Sequence, residues 1–386
     1  MMTELQIDAQ LDPTIQFPSP VTPDVTVPKA ILLTGATGFL GAYLLAELLR
    51  HTTADLYCLL RAESPAAGKA RLRDHLQFYQ LWDDTFAARM VPILGDLAQP
   101  RLGLADAEWQ SLADRIDVIY HNGAQVNAVY PYARLKAANV DGTVTLLQLA
   151  GLHHTKPLHF VSSLAIFMSR AYVNQTIRES DFPAWESNLQ GGYRQSKWVA
   201  EALIREAQRR GLPGGIYRPG IIMEHSQSAI QGKPNNVSMG IEACLQLGAY
   251  PQLKTTTNFA PVDYVSQAIV YLSQQSVEAG TPSGRIFHLC NPASVAWPEL
   301  FAMLQRLDHP VVERSYADWL KELELQTQQQ PENKTLSVIR FLMRLPLNLF
   351  TDGPCFLTQE TQAALATSSI SCPKIDEQLL ATYFHP

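Results

Sequence analysis

A glycine-rich segment near the start of the sequence constrains the fold more than any other feature. The apolar run Ala30–Thr34 is followed by GATGFLG, then by leucines at helical spacing, then by a second apolar run at Asp55–Leu60. This order of strand, glycine turn, helix and strand is typical of the first βαβ unit of a dinucleotide-binding sheet. The glycines permit a tight turn, close approach to a pyrophosphate and close helix–strand packing. The residues predicted to bind the cofactor at this turn are Thr34, Gly35, Thr37, Gly38, Phe39 and Leu40.

The end of the second predicted strand indicates which dinucleotide binds. NAD-binding proteins usually carry an acidic residue there, which holds the ribose 2′-hydroxyl. This chain has Arg61 instead, and a guanidinium group can clamp a phosphate through two hydrogen bonds. We therefore predict NADP(H), with Arg61 at the 2′-phosphate and Arg71 adding positive charge, although Glu63 argues in the other direction. The GxxGxxG spacing also suits the short-chain and extended dehydrogenase/reductase type of Rossmann fold.

Composition restricts the class of protein. A chain of 386 residues with 46% hydrophobic residues suits one large α/β domain plus a smaller one. Its net charge of −6 argues against a nucleic-acid partner. Five scattered cysteines without a CxxC pair indicate reduced, mostly core cysteines, and the histidines form no HxxxH or HxH pair, so no metal is predicted. Without a signal peptide or a long apolar run, the chain is expected to be cytoplasmic and to have no transmembrane segment.

Strands that alternate with helices predict the α/β class, as a Rossmann-type doubly wound parallel sheet with a ligand crevice at the carboxyl ends of its strands. We assign residues 30–223 and about 259–292 to this cofactor-binding domain. Residues 224–258 and 293–386 are assigned to a smaller, mostly helical substrate-binding domain, and residues 1–29 to an extended arm or linker. Within these regions we expect one long helix over 133–149, a polar mobile loop over 326–334, and an apolar helix over 336–350 that either packs or covers a pocket.

A YxxxK motif supplies the candidate catalytic groups. Residues four apart share one face of a helix, so Lys197 lies beside Tyr193. A nearby ammonium group is expected to lower the tyrosine pKa from its ordinary value of about 10, which suits proton transfer, and lysine can also bond ribose hydroxyls. The preceding strand ends in Ser162-Ser163, and one of these hydroxyls is expected to serve turn formation. The predicted catalytic set is Ser163, Tyr193 and Lys197.

Other strand ends supply further candidate cofactor contacts. Asp96 and Leu97 follow the third strand, where they would cover the adenine edge. The helix residue Asn139 ties the central helix to the fourth strand or takes part in a water relay near Lys197. The residues after the sixth strand are expected to lie at the nicotinamide amide. Cofactor binding is predicted for the ends of the third, fourth and sixth strands, at Asp96, Leu97, Asn122, Gly123, Ala124, Pro219, Gly220 and Ile221, and for Tyr193 and Lys197.

These motifs together resemble a known family. The segments are LLTGATGFLGAYLLAELL, CLLRA, GDL, YHNGAQVNAVYPYARLKAANVDGT, FVSS, YRQSKWVAE, YRPG and FAPVDYV. Over residues 30–290 the chain resembles the thioester reductase domains that terminate nonribosomal peptide and polyketide assembly lines, with relatives in carboxylic acid reductases. It departs from them at Ser163, where the family usually has threonine. Because no adenylation or carrier domain accompanies these motifs, the chain is expected to act on a separate acyl carrier.

The resemblance implies a reaction. An acyl or peptidyl thioester on a phosphopantetheine arm is reduced by NADPH to an aldehyde, with release of the thiol, and with or without further reduction to the alcohol. Tyr193 and Ser163 would hold the developing oxyanion, Tyr193 would donate the proton, and Lys197 would support it. Carrier proteins are acidic, so a basic docking patch is expected. The candidates are Arg205, Arg209, Arg210, Arg314 and Lys321, each of which is by default a solvated surface residue.

Three other interpretations stay open at this point. An extended-type sugar epimerase or dehydratase shares the glycine turn and YxxxK, but Arg61 and the segment NAVYPYARLKAANV argue against it. A fatty acyl-CoA or acyl-carrier reductase differs mainly in the carrier. A non-catalytic NADP(H)-sensing regulator on the same fold often lacks the Tyr/Lys pair, which this chain keeps. The acyl group and the oligomeric state are not readable from the sequence.

Overall fold

The computed structural model describes residues 2–18, 27–185, 189–228, 230, 235–275, 284–343 and 353–384. Its strands are β1 (Ala30–Thr34), β2 (Asp55–Leu60), β3 (Met90–Leu94), β4 (Val118–His121), β5 (Leu158–Val161), β6 (Thr176–Ile177), β7 (Ile216–Pro219), β8 (Ile222–Met223), β9 (Ala249–Pro251), β10 (Thr256–Thr257), β11 (Ala260–Pro261), β12 (Ile286–Leu289), β13 (Val295–Ala296), β14 (Val312–Arg314) and β15 (Cys355–Phe356). Its α-helices are α1 (Glu4–Asp8), α2 (Phe39–His51), α3 (Pro65–Phe78), α4 (Asp106–Arg115), α5 (Tyr132–Lys136), α6 (Gly142–Gly151), α7 (Gly192–Arg209), α8 (Asn236–Leu247), α9 (Val262–Gln275), α10 (Trp297–Arg306), α11 (Tyr316–Gln329), α12 (Lys334–Leu342), α13 (Gln359–Leu365) and α14 (Glu377–Tyr383).

A seven-stranded parallel sheet organises the described chain. Its strand order is β12-β7-β5-β4-β1-β2-β3, so β1 lies between β2 and β4. Thr34, the last residue of β1, is in register with Leu59 of β2 and His121 of β4. The strand order reverses between β1 and β4, and the crevice at such a switch point is where open α/β sheets bind their ligands. The predicted Rossmann-type sheet is confirmed.

Both faces of the sheet are covered by apolar side chains. Successive residues of β1 point to opposite faces, so Ile31 and Leu33 join one buried cluster and Leu32 joins the other. Helices α2 and α9 pack together on the first face, and α7 lies on the second. Helix α9 lies within residues 259–292, which are assigned above to the cofactor-binding domain.

A third buried cluster draws on helices that belong to neither of the first two clusters. It draws on α8, α10, α11, α12 and α14, and Trp319 within it donates its indole N–H to the carbonyl of Ala249 at 3.0 Å. Residues 353–372 return to the sheet instead. There β15 pairs with β6, and Leu365 of α13 joins the cluster that contains α2 and α9. The domain boundaries given above remain a prediction. Within residues 293–386, the segment 353–372 packs against the sheet and not in the third cluster.

The N-terminal arm is not simply extended. Thr3 and Gln6 form a reciprocal capping box, which starts the short helix α1. The side chains of Leu5, Leu11, Ile15 and Phe17 are buried in the second cluster. Residues 2–18 therefore pack as part of the core, and residues 19–26 lie outside the described residues.

Three predicted elements differ from the observed ones. The prediction of a mobile loop over 326–334 is wrong for residues 326–329, because α11 continues to Gln329. Within this helix, Gln326 Nε2 donates to Glu322 Oε1, one turn earlier, at 3.0 Å. The helix over 336–350 is observed as Lys334–Leu342, and residues 344–350 lie outside the described residues. The helix over 133–149 is interrupted by a π-helical turn at Ala137–Asp141.

The five cysteines are all free, and three of them, Cys58, Cys244 and Cys290, are buried. Cys355 is exposed and Cys372 is half-buried, so the prediction of mostly core thiols holds for the majority. Within the ranges that the structure describes, no helix combines the length and the apolar character needed to cross a membrane.

Candidate active site

The glycine turn between β1 and α2 leaves no room for a side chain at Gly35 or Gly41. Gly35 has φ +74°, and a Cβ atom added there would lie 2.7 Å from the Cα of Gly123. A Cβ atom on Gly41 would lie 1.9 Å from the carbonyl oxygen of Gly35. Gly38 caps α2 without a side-chain hydrogen bond, so the backbone N–H groups of the first helical turn have no side-chain acceptor at the cap. This bare, positively polarised turn fits the pyrophosphate of a dinucleotide.

The end of β4 lies directly against the glycine turn. The backbone N–H of Gly123 donates to Thr34 Oγ1 at 2.8 Å, and Asn122 Nδ2 donates to the carbonyl of Gly35 at 3.4 Å. Leu97 fills the space beside Gly123, where an added Cβ would come within 2.6 Å of it. The structure thus brings together three of the predicted cofactor segments, at the ends of β1, β3 and β4, with Ala124 next in the chain.

Two arginines lie at the end of β2, as predicted. The guanidinium of Arg61 is largely exposed, and its Nη1 lies 3.6 Å from Asp96 Oδ2. Arg71 Nη1 donates to the carbonyl of Arg61 at 2.8 Å, so Arg71 braces the strand end. Both cations therefore lie at the edge of the crevice next to the predicted adenine side.

The YxxxK residues lie on α7, above the carboxyl end of β5. Lys197 is buried; its Nζ donates to the carbonyl of Val161 at 2.7 Å and lies 4.1 Å from the centre of the Phe160 ring. Burial lowers the pKa of Lys197 to about 7, and the carboxylate of Glu201 opposes that shift.

The phenol of Tyr193 has an environment that the sequence did not indicate. Burial raises its pKa to about 12, and a hydrogen bond with Ser163 acts against that shift. The expected lowering by Lys197 is therefore wrong for this arrangement, because the ammonium group is directed at the strand carbonyl. A phenol with a raised pKa stays protonated near neutral pH and can donate a hydrogen bond to a carbonyl oxygen, but it is a weaker acid than a phenol of ordinary pKa.

The two serines after β5 have different partners. Ser163 Oγ accepts from the N–H of Ala165 at 3.1 Å and also bonds Tyr193. Ser162 Oγ donates to Glu201 Oε2 at 2.5 Å and is buried. Ser163, and not Ser162, therefore forms the hydrogen bond with Tyr193. The same Ser163 hydroxyl also accepts the hydrogen bond from Ala165 in the turn.

Comparisons with known proteins identify the family of this chain. Residues 33–269 match the family model described as Male sterility protein, a model of NAD-binding domains. The chain is 40% identical to a linear gramicidin synthase of Brevibacillus parabrevis over 98% of its own length and 7% of that protein. The chain belongs to the family that this model describes.

Solved structures of reductase domains give a more specific comparison. The terminal R domain of the myxalamid PKS-NRPS pathway is 40% identical, with a TM-score of 0.91 over 98% of this chain and 95% of that one. A thiolation-reductase di-domain from an archaeal nonribosomal peptide synthetase is 25% identical, with a TM-score of 0.74 over 92% of this chain and 74% of that one. The resemblance to thioester reductase domains is confirmed, and the protein is an oxidoreductase of the extended short-chain dehydrogenase/reductase type that uses a nicotinamide cofactor. The chain spans 7%, 30% and 35% of the length of the first curated relatives that it matches.

The predicted nicotinamide side of the reductase is a turn between β7 and β8. Gly220 donates its N–H to the carbonyl of Leu289 at 3.1 Å, and the carbonyl of Ile221 accepts from Ala260 at 2.9 Å. A Cβ on Gly220 would lie 3.5 Å from the side chain of Leu164, which directly follows Ser163. The structure therefore brings Pro219–Ile221 to the same edge as the candidate catalytic residues.

Asn139 in the π-helical turn has a clear structural role in the reductase. Its amide donates to Ser196 Oγ at 2.9 Å and to the carbonyl of Gln125 at 3.1 Å, and its oxygen accepts from the N–H of Gln125 at 2.7 Å. Ser196 in turn donates to the carbonyl of Tyr193. The interrupted helix thus ties the loop after β4 to the start of α7.

Two residues with close contacts to this site escaped the sequence-based reasoning. Glu201 and Arg218 form an ion pair in which neither side chain is exposed. A signal was present, because Glu201 follows Lys197 by four residues in YRQSKWVAE and Arg218 precedes the predicted nicotinamide turn in YRPG.

The candidate docking cations are only partly available on the surface. Arg210 donates to the carbonyls of Leu11, Asp12 and Ile15, so it fastens the N-terminal arm and does not fit a docking role. Arg205 lies 4.9 Å from the centre of the Phe182 ring and is half-buried. Arg209, Arg314 and Lys321 are exposed, and Arg209 pairs with Glu206 at 2.6 Å.

Proposed function

We propose that the protein is an NADPH-dependent reductase that converts an acyl or peptidyl thioester, carried on a phosphopantetheine arm, to an aldehyde and a free thiol. The observation that carries this proposal is the Ser163–Tyr193 hydroxyl pair at the carboxyl end of β5, with the buried Lys197 one helical turn from Tyr193. Two hydroxyl donors at one point suit a carbonyl oxygen that gains negative charge.

The residues present fit the dinucleotide. The glycine turn, Asn122–Ala124 and Leu97 would hold its pyrophosphate and adenosine, and Pro219–Ile221 would lie at the nicotinamide. Arg61 supports NADPH over NADH, because its guanidinium is largely exposed at the end of β2, where a 2′-phosphate would sit. NADPH, when bound, supplies the hydride equivalent that the reduction needs.

The side chains of this protein supply the remaining steps. Ser163 and Tyr193 donate hydrogen bonds to the thioester oxygen and stabilise its developing charge. Tyr193 then passes its proton to that oxygen, and Lys197 holds positive charge nearby while the phenol is depleted of its proton. The C–S bond of the resulting hemithioacetal breaks, the thiol leaves with a proton, and the aldehyde remains. The net change consumes one thioester, one NADPH and one proton.

A carrier protein is the partner that the relatives support. The similar structures include a thiolation-reductase di-domain, in which a carrier and a reductase occur in one protein. Acyl-CoA shares the same phosphopantetheine thioester, so a fatty acyl-CoA reductase is the alternative that a comparison of carriers distinguishes. A regulator without catalysis would bind NADPH and leave every thioester unreduced.

The test follows NADPH consumption with an acyl thioester on CoA and on a phosphopantetheinylated carrier, while a hydrazine reagent traps the aldehyde. We expect thioester-dependent oxidation and one trapped aldehyde per NADPH. Tyr193→Phe should lower turnover about 100-fold or more, because it removes the proton donor but little else. Tyr271→Phe is the matched control and should keep full activity. Tyr271 lies near the C-terminal end of α9, where its hydroxyl forms a hydrogen bond with Thr367.

Two results would contradict the proposal. One is NADPH binding by the wild-type protein without oxidation in the presence of either carrier. The other is unchanged turnover in Tyr193→Phe.

A further inference from the structure

A fully buried ion pair joins α7 to the central sheet. Arg218 Nε lies 3.1 Å and 3.2 Å from the two carboxylate oxygens of Glu201, and Nη2 lies 2.5 Å from Oε1. Neither side chain has any exposed surface. Glu201 follows Lys197 by one helical turn, so it occupies the same face of α7 as Tyr193 and Lys197.

The same carboxylate reaches a second strand. Glu201 Oε2 accepts from Ser162 Oγ at 2.5 Å, and Ser162 is the residue before Ser163. Arg218 is the residue before Pro219, where the predicted nicotinamide turn begins. One side chain thus fastens the helix that carries Tyr193 to the ends of β5 and β7.

The hydrogen-bonding capacity of Arg218 is used elsewhere as well. Its Nη1 donates to the carbonyl of Glu179 at 3.1 Å and Nη2 to that of Asp181 at 2.8 Å. Its Nη1 also meets His288 Nε2 at 3.2 Å, while His288 Nδ1 donates to the carbonyl of Leu357 at 2.8 Å. Because the pKa of His288 is lowered to about 3, by burial and by Arg218, the imidazole is neutral and Nε2 accepts.

Stability alone gives a weak reason for such a pair. The cost of removing two charges from water commonly cancels their attraction, and apolar side chains of similar volume often serve as well. A buried carboxylate that contacts two strand ends beside the reacting groups has a different use. It fixes the relative positions of the helix and both strands, and it places a negative charge near Lys197.

We propose that Glu201 is a positioning residue for the reduction: it aligns Ser163 and the Pro219–Ile221 turn with Tyr193, and its negative charge favours the ammonium form of Lys197. This inference rests on the proposed function. Among the charged and titratable groups around Lys197, Glu201 and Tyr193 lie on α7 and His121 lies on β4, while Arg218 on β7 is paired with Glu201. His121 is neutral, since burial lowers its pKa to about 3, which leaves Glu201 as the anion of this set.

The direction of the pH effect follows from these groups. Lys197 must be protonated to support Tyr193 and the ribose hydroxyls, so turnover and NADPH affinity should fall as the pH rises through the pKa of Lys197, which is about 7. In Glu201→Gln the opposing carboxylate is lost while Arg218 stays, so the pKa of Lys197 falls further. The basic limb should therefore move to lower pH by about one unit.

The experiment uses three variants of the full chain and two readouts, turnover with a thioester and NADPH affinity by fluorescence, each across pH. Glu201→Gln removes the charge. Glu201→Asp keeps the charge but shortens the reach, so it should lose turnover about tenfold or more while its basic limb stays at the wild-type pH. Glu206→Gln is the control on the same helix, since it breaks the ion pairs with Arg209 and Arg210 and should leave both pH profiles unchanged.

The proposal is overturned if Glu201→Gln keeps the wild-type pH profile, or if Glu206→Gln shifts it equally. If Glu201→Gln does not fold, Glu201→Asp decides, because wild-type turnover in that variant would refute positioning. NADPH affinity is measured without a thioester. If the protein binds NADPH but reduces no thioester, the proposed function is wrong, and the pH profiles of NADPH affinity still test the role of Glu201.

Discussion

Gly41→Ala tests the cofactor-binding turn most directly. The added methyl group would lie 1.9 Å from the carbonyl oxygen of Gly35, and ordinary contact begins at 3.4 Å, so α2 must withdraw by about 1.5 Å. Alanine gains about 1 kcal/mol over glycine inside a helix, but overpacking of this kind costs about 3 kcal/mol, which leaves a net loss of about 2 kcal/mol in the free energy of unfolding.

Cofactor binding should suffer more than stability. A displacement of that size breaks hydrogen bonds from the first turn of α2 to the pyrophosphate, and two charge-assisted bonds are worth about 3 kcal/mol, or about 100-fold in Kd. Urea unfolding and NADPH fluorescence titration measure the two effects.

Gly38→Ala is the graded control in the same turn. Its methyl group would lie 3.2 Å from the same oxygen, which needs a shift of only a few tenths of an ångström. It should cost less than about 1 kcal/mol in stability. If Gly41→Ala unfolds at the wild-type urea concentration and binds NADPH as tightly as the wild-type protein, the steric argument for the turn is wrong.

Two further predictions concern the strand end and the N-terminal arm. Arg61→Ser should raise the Kd of NADPH about tenfold or more and leave the Kd of NADH unchanged, because only NADPH has the 2′-phosphate; equal losses for both cofactors would remove Arg61 from that role. Arg210→Ala should lower the free energy of unfolding by about 2 kcal/mol, since three carbonyls of the arm lose their donor, without changing turnover. Urea unfolding and NADPH oxidation check the second prediction, and an unchanged unfolding midpoint would show that these hydrogen bonds of Arg210 contribute nothing to stability.

The sheet could be predicted from the sequence because its signals are local and repeated. Apolar runs of strand length, each followed by a helical pattern, permit few arrangements once crossovers are right-handed. The GATGFLG turn adds a steric requirement that the structure displays directly at Gly35 and Gly41. The strand ends predicted at Thr34 and Leu60 are the observed ones, since Gly35 follows the first run and Arg61 the second.

The end of α11 shows what local composition cannot decide. The glutamine-rich segment at 326–334 has no apolar pattern of its own, and polar composition favoured a loop. Yet Gln326 bonds Glu322, and Thr327 is buried and donates to the carbonyl of Leu323, so packing against the third cluster extends the helix to Gln329. Tertiary burial outweighs a weak local preference here.

The sequence predicted which candidate residues lie close together at the strand ends and on α7, but it did not predict the electrostatics of the candidate site. The YxxxK spacing placed Tyr193 and Lys197 on one face, but spacing cannot reveal how much water either group loses. Burial raises the pKa of Tyr193 and lowers that of Lys197, so each side chain is pushed towards its neutral form, and the charged state of this pair depends on what surrounds it. The negative charge nearest in sequence on the same face is Glu201, which is itself held by Arg218 and Ser162. The charge of Lys197 in the YxxxK motif therefore depends on a third, buried residue, Glu201. A variant that keeps Tyr193 and Lys197 but loses the Glu201 carboxylate should bind NADPH over a narrower range of pH.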